Sequence, residues 1–221
     1  MSSAIPPRHV LALLDDAALA REVIEMSSIL ARQLQRPLEV IYVENAPALL
    51  AAALPFAQVL AHGATQWAPF APEDVERGYR AQAQRLRELT ERLLTHQAVT
   101  WSMRVMRGAL QQIAFELQSQ SDLVVIARAT GAAALPTLRR PLRAHRPVVT
   151  ALVDDSAAGQ MAREVARQIV QALGGMLLVR QTAGAGITPA LVGRCDLLVV
   201  PRSLVQPGDL ARLEQPALLV G

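Results

Sequence analysis

The apolar run VLALLDD at Val10–Asp16 returns further along the chain as VTALVDD at Val149–Asp155. Each run is built of small or branched apolar residues and ends at two aspartates, which is typical of a strand buried on both faces. A second pair of segments also matches, because DLVVIAR at Asp122–Arg128 returns as DLLVVPR at Asp196–Arg202. The fold therefore depends on buried strands that occur in two similar sets.

Strands and helices alternate along the first set. Strands are predicted at Val10–Leu14, Leu38–Val43, Val99–Met106 and Leu123–Ala127, and the first helix buries Leu19, Val23, Met26, Leu30 and Leu34 at helical spacing. Alternation of this kind predicts an α/β fold, in which an open parallel sheet carries helices on both faces. The strand at Val99–Met106 alternates polar and apolar residues, so we expect it at a sheet edge.

The matching segments divide the chain into two predicted units, residues 1–146 with an apolar insertion at 46–72, and residues 147–221. The second unit is shorter and lacks the insertion, the long second helix and the edge strand. Pro147–Val153 is the first strand of the second unit, which leaves the first unit without a fifth strand. Gln215–Val220 is a candidate to cover that edge of the sheet, or to serve as the partner edge in a dimer.

The composition excludes several kinds of site. None of the 22 basic residues is lysine, which excludes a P-loop lysine and a Schiff-base lysine. The net charge of +3 gives no field for nucleic-acid binding, and an aromatic content of 3% gives no base-stacking surface. Cys195 is the single cysteine, so it forms no internal disulfide and fits a reducing cytoplasm. We expect this thiol to be packed and inert.

The N-terminal residues and the insertion bear on location. MSSAIPPRHV lacks the basic and apolar regions of a signal peptide. Residues 46–72 carry no Asp, Glu, Lys or Arg, but prolines and polar residues interrupt them, so a membrane span is not expected. The alternative for this insertion is an exposed helix that faces a partner or an interface.

The order of these elements resembles the universal stress protein family, in a tandem form with a degenerate second unit. The matching features are VLALLDD, the helix after it, the strand that ends at Val43, VMRGA around Gly108, and DLVVIAR. The similarity covers Arg8–Val153 and, more weakly, Val148–Gly221. The resemblance implies two open parallel-sheet units of the adenine-nucleotide α-hydrolase-like type, with strand order 3-2-1-4-5 and the second unit truncated.

Family members that bind ATP carry glycines at three positions after the fourth strand, with Ser or Thr after the third. Here those positions hold Ala127, Thr130 and Arg140, and Pro141 follows. In the second unit they hold Pro201, Leu204 and Glu214. Glycines let backbone N–H groups approach phosphates closely, so neither segment matches the family's phosphate loop.

The resemblance nevertheless names candidate ligand contacts. Asp15 matches a nucleotide-contacting aspartate at the end of the first strand, Asp154 is its counterpart, and Val43 matches the strand end that lines an adenine pocket. The alternative at these two positions is that Asp16, Asp155 or Ser156 caps the following helix, and core packing is the alternative for Val43. The arginines after the fourth strand could replace the glycines by pairing with phosphate, or could form a solvated basic loop. The candidate cofactor-binding residues are therefore Asp15, Val43, Arg128, Thr130, Arg140 and Asp154.

The sequence thus predicts a non-catalytic, cytoplasmic protein of the universal-stress type that acts in stress response by binding a ligand or a partner. The alternative is a nucleotide-binding regulatory protein with an arginine-lined site. No cofactor is expected, although ATP or another nucleotide is possible, and a homodimer or a protein partner is expected. The histidines lack metal-ligand spacing, and the missing glycines and lysine argue against an enzyme of the wider fold group.

Overall fold

The computed structural model describes residues 9–16, 20–60, 65–117, 121, 123–127, 146–182, 184, 186–210, 212–213 and 215–221. Its strands are β1 Val10–Leu14, β2 Leu38–Asn45, β3 Gln58–Val59, β4 Ala68–Pro69, β5 Trp101–Gly108, β6 Leu123–Ala127, β7 Val148–Val153, β8 Met176–Gln181, β9 Leu197–Pro201 and β10 Ala217–Val220. Its helices are α1 Ala20–Gln33, α2 Ala46–Ala52, α3 Pro72–Leu94, α4 Leu110–Glu116, α5 Ala157–Leu173, α6 Pro189–Val192 and α7 Pro207–Leu210.

Eight of the strands form one mostly parallel sheet in the order β5-β2-β1-β6-β10-β9-β7-β8. The predicted α/β class is confirmed, and the strands of both predicted units lie in this one sheet. The order β5-β2-β1-β6 reproduces the expected positions 3-2-1-4. The division of the chain into two domains, with a truncated second unit, stays a prediction.

β10 joins two halves of the sheet: β5-β2-β1-β6, which we call the first half, and β9-β7-β8, which we call the second half. It pairs antiparallel with β6, Leu219 opposite Val124, and parallel with β9, Leu219 opposite Val200. Beside this joint, the guanidinium of Arg202 donates to the carbonyl of Ser121, which lies just before β6. The candidate cover at Gln215–Val220 is therefore found within the same chain.

Helices cover both faces of the sheet. On one face α1, α3 and α5 pack against Ala12, Val40 and Ala151, among others. On the other face α4, α6 and α7 pack against residues such as Leu13 and Leu198. The five residues of β1, β6 and β9 are all buried, as expected for central strands covered on both sides.

The antiparallel joint determines where functional groups can meet. Because β10 runs opposite to β6, the strands of the two halves point in opposite directions. The carboxyl ends of β1, β2 and β5 therefore lie together where these strands end on one side of the sheet. The carboxyl ends of β7 and β9 lie on the opposite side, so Asp15 and Asp154, which follow β1 and β7, are far apart along the strand direction.

No helix within the described part of the chain is both long enough and apolar enough to cross a membrane.

Candidate functional site

A cleft of about 330 Å³ opens at the carboxyl ends of β1, β2 and β5. We call it the Asp15 cleft. Its lining residues are Asp15, Val43, Asn45, Pro47, Gly108, Ala109, Leu110 and Gln111. The strand order reverses between β1 and β6, so Asp15, at the end of β1, lies next to the switch point, and the cleft extends from there over β2 and β5. Open α/β sheets bind ligands outside the carboxyl ends of their strands near such a point.

The strand register brings Asp15 and Val43 to the same place. Leu14 of β1 lies beside Tyr42 of β2, so the next residue of each strand, Asp15 and Val43, reaches the edge together. Asp15 is half-buried and Val43 is buried. A carboxylate beside an apolar wall can accept hydrogen bonds from the hydroxyl groups of a ligand, while the wall contacts a flat ring of the same ligand. The structure therefore unites two of the predicted site residues.

Gly108 forms the opposite wall of the cleft, where β5 turns into α4. It lies beside Asn45 in the register of β2 and β5. A Cβ atom at this position would lie 3.1 Å from Cδ1 of Ile113, which is closer than normal packing, so the Ile113 side chain would have to shift by a few tenths of an ångström. The glycine thus permits close packing of α4 against the cleft.

Two tyrosines support the cleft from behind. The Tyr79 hydroxyl of α3 donates to the Asn45 carbonyl at 3.1 Å, and Tyr42 donates to Oε1 of Gln82 at 2.5 Å. The two rings meet edge to face, with centroids 6.4 Å apart. Burial is the largest cause that raises the pKa of both phenols above the usual value of 10.0. These contacts hold α3 against β2 and fix the backbone of Asn45 at the rim.

The charges around the cleft favour an uncharged ligand group there. Arg107 is the arginine beside Gly108, and its guanidinium binds Oε2 of Glu44 at 3.0 Å and Oε1 of Glu76 at 3.6 Å. Two carboxylates therefore already compensate its charge. Asp15 adds a further acidic group to the lining, so this part of the cleft suits hydroxyl or amino groups better than phosphate.

Asp154 has a different environment from Asp15. Its Oδ1 accepts from the backbone N–H of Ser156 at 3.2 Å and from the Ser156 hydroxyl at 2.5 Å. Ser156 in turn caps α5, because its Oγ accepts the N–H of Gly159 at 3.0 Å. Ser156 is thus the helix cap, one of the capping residues predicted from the sequence, and Asp154 accepts a hydrogen bond from its hydroxyl. A ligand role for it stays a prediction.

Three predicted contacts, Arg128, Thr130 and Arg140, lie outside the described residues. The sequence reasoning missed Asn45, Pro47 and residues 109–111 as part of the cleft. A signal for some of them was present, since Gly108 follows a strand and Asn45-Ala46-Pro47 carries a helix-start pattern. The Asn45 side chain does cap α2, accepting the N–H of Ala48 at 3.4 Å.

The insertion forms an apolar arm, defined here as residues 46–60 and 65–72. It contains α2 and the short antiparallel pair of β3 and β4. Large apolar side chains are exposed along it, namely Leu50, Leu54, Phe56, Val59, Leu60 and Trp67, with Phe56 87% exposed. Six large apolar side chains exposed on one segment agree with the predicted alternative of a partner-facing insertion.

Cys195 and the possible metal ligands of the described residues give weaker candidate sites than the Asp15 cleft. Burial raises the pKa of the Cys195 thiol, while hydrogen bonding with Thr150 acts in the opposite direction. A raised pKa leaves less reactive thiolate, in line with the predicted inert role. Among the residues that the structure describes, no three His, Cys, Asp or Glu side chains could jointly hold a metal ion.

A smaller cavity of about 160 Å³ lies between α6 and α7 in the second half of the chain. Ile187, Val192 and Leu213 contribute much of its apolar lining, and Asp209 is its acidic group. Oδ2 of Asp209 accepts the backbone N–H of Gln206 at 3.0 Å, which gives this carboxylate a structural role in the loop before α7. The Asp15 cleft is therefore the stronger candidate site.

No protein-family model matches the sequence, and a comparison with curated proteins also finds no match. Among solved structures, the chain is similar to a universal stress protein from Archaeoglobus fulgidus DSM 4304, with 11% identity, a TM-score of 0.45, and coverage of 96% of this chain and 95% of that one. It is also similar to a protein of unknown function from Pseudomonas aeruginosa PAO1, with 11% identity, a TM-score of 0.43, and coverage of 97% and 92%. A universal stress protein in complex with cAMP matches at 10% identity and a TM-score of 0.32, with coverage of 80% and 98%.

Proposed function

We propose that the chain is a non-catalytic regulatory protein of the universal-stress type that binds a nucleoside or nucleotide in the Asp15 cleft. One observation carries the proposal: a half-buried carboxylate, Asp15, and a buried apolar strand end, Val43, line one cleft at the carboxyl ends of β1 and β2. A cleft of about 330 Å³ lies at the lower end of the range of about 300–1,000 Å³ that is usual for small-molecule sites.

The lining suggests how the ligand would lie. The Asp15 carboxylate would accept hydrogen bonds from the hydroxyl groups of a sugar, since an ionised carboxylate is a strong hydrogen-bond acceptor. Val43 and Leu110 would contact the faces or edges of a base. The phosphates of a nucleotide would extend away from Asp15, because like charges repel.

Phosphate contacts would have to come from elsewhere in the chain. Arg107 is paired with Glu44 and Glu76, and the segment that contains Arg128 and Arg140 follows β6 without any acidic residue before Val153. This is the arginine-lined alternative derived from the sequence. The affinity for the nucleoside and the affinity for the phosphates would therefore come from different parts of the chain and can be measured separately.

A thermal-shift series separates these possibilities. Adenosine, ATP, cAMP and inorganic phosphate would be added in turn to the wild-type protein. A ligand at about 100 times its Kd stabilises the folded state by about 2.7 kcal/mol. For a chain of this size that corresponds to a rise in Tm of about 5–11 °C.

The pattern of shifts decides between the sources of affinity. A rise with adenosine equal to that with ATP would place the affinity in the nucleoside. A rise with ATP alone would place it in the arginine-rich segment. No rise with any of the nucleosides or nucleotides, at concentrations up to several millimolar, would contradict the proposed function.

A further inference from the structure

The two outer strands of the described sheet, β5 and β8, differ in how they are protected. β5 carries two arginines that bind carboxylates of the neighbouring strand β2: Arg104 binds Glu39 at 2.9 Å and Arg107 binds Glu44 at 3.0 Å. Charged side chains on an edge strand oppose pairing with another chain. β8 has the sequence MLLVRQ, with one charged residue, Arg180, whose Nη1 donates to the Ala190 carbonyl at 3.4 Å.

The backbone of β8 shows which groups face outward. The N–H of Met176 donates to Pro147 at 2.8 Å, and the N–H of Thr182 donates to Val153 at 3.0 Å. Since the direction of backbone groups alternates along a strand, the even-numbered residues bond to β7. Leu177, Val179 and Gln181 therefore point their N–H and C=O groups away from β7, along the outer edge of the sheet.

A comparison with the first half shows that no strand of the described residues lies outside β8. Val40 lies beside Ala12 in β1 and β2, and Val179 lies beside Ala151 in β7 and β8. Val40 pairs on its other side with Met103 of β5 and is fully buried. Val179 is 44% exposed, and Met176 on the same strand is 46% exposed. Within the described residues, β5 pairs with β2 in the first half, and no strand pairs with β8 on the corresponding side in the second half.

We propose that β8 pairs antiparallel with β8 of a second copy of this chain, about a two-fold axis that passes by Val179 perpendicular to the sheet. Val179 would lie opposite its own counterpart, and Leu177 would lie opposite Gln181. The outward N–H and C=O groups of these three residues would then bond across the axis, because residues that exchange hydrogen bonds in an antiparallel pair face each other directly.

A second copy suits this edge in particular because of its charge. In the proposed register Arg180 lies opposite Leu178 of the partner, so the two arginines do not face each other. The two Val179 side chains become direct neighbours across the axis, with Leu177 and Gln181 next to them on the same face. One strand therefore supplies both halves of a self-complementary interface.

The test compares matched substitutions on the two sheet edges. Val179 on β8 and Val105 on β5 are 44% and 46% exposed, so each can be replaced by lysine at a similar intrinsic cost. Sedimentation velocity from about 1 to 100 µM should show the wild type and Val105→Lys at twice 23.8 kDa. Val179→Lys places two like charges directly across the axis and should weaken the dimer at least about tenfold.

Several results would overturn the proposal. A monomeric wild type over the whole concentration range would do so, as would a Val179→Lys protein that remains dimeric. A dimer that dissociates only when Phe56 and Trp67 are replaced by serine would move the interface to the apolar arm.

If Val179→Lys does not fold, hydrogen exchange on the wild type provides the test. Protection of the amides of Leu177, Val179 and Gln181 should increase with protein concentration. Protection independent of concentration would count against pairing at β8.

Discussion

Replacement of Leu219 by alanine tests whether β10 joins the two halves of the protein into one cooperative unit. Leu219 is fully buried, and its strand bonds to β6 on one side and to β9 on the other. A buried Leu→Ala substitution costs about 2–5 kcal/mol, because the side chain is lost and a cavity remains. At about 2–4 °C per kcal/mol for a chain of this length, a loss of about 3 kcal/mol lowers the Tm by about 6–12 °C.

Two probes follow the two halves. The chain has two tryptophans, Trp67 and Trp101, and both belong to the first half, so their fluorescence reports that half. Far-ultraviolet circular dichroism reports the helices of both halves. In the wild type the two probes should give coincident transitions, as two-state unfolding requires. In Leu219→Ala both transitions should move together to the lower temperature.

The control and the contrary outcome are both clear. Leu50 is 71% exposed, so Leu50→Ala should change the free energy of unfolding by less than about 0.5 kcal/mol. If Leu219→Ala leaves both transitions at the wild-type temperature, or if the two probes already give separate transitions in the wild type, then β10 does not couple the two halves. Either result would refute the role of β10 as the joint.

Two further predictions concern the helix cap and the tyrosines. Gly159→Ala should destabilise the protein by about 1–3 kcal/mol in chemical denaturation, because the new Cβ would clash with oxygens of Asp154. Gly184→Ala is the control and should have little effect, because no atom lies within 4 Å of its new Cβ. Equal effects of the two substitutions would argue against the packed cap. Tyr42 and Tyr79 should ionise above their usual pKa of 10.0 in an absorbance titration. Because the folded-state pKa values are raised, their contribution to stability should be complete below pH 10 and fall as the pH rises further, and normal titration of both phenols would contradict their burial.

The sequence predicted the main strands directly, whereas Asp15 and Val43 were named through the resemblance to the universal stress protein family, and the structure places them side by side. Buried apolar runs are local signals, and the carboxyl ends of neighbouring parallel strands must lie at the same edge. It left the role of Gln215–Val220 open, because which strands pair is decided by contacts between distant parts of the chain. The structure places that segment between β6 and β9.

The two aspartates at matching positions show a second limit. Asp154 is followed by Ser156 and Gly159, which together allow the cap on α5, whereas Ala17 and Ala20 stand at the corresponding places after Asp15. The sequence left a ligand role and a helix cap open at both positions, and it named Ser156 as one possible cap. A serine hydroxyl at a helix start is a local signal that can separate the roles of repeated acids.

Calorimetric titration of adenosine and ATP into Asp15→Asn and Asp154→Asn tests the central claim most directly. Both substitutions remove one charge at matching positions, but only Asp15 lines the cleft. A hydrogen bond to a charged group contributes about 1.5–3 kcal/mol, so Asp15→Asn should weaken binding about 10- to 100-fold. Asp154→Asn should keep the wild-type Kd, with a lower Tm. Unchanged affinity in Asp15→Asn, or an equal loss in both variants, would contradict a ligand site at the Asp15 cleft.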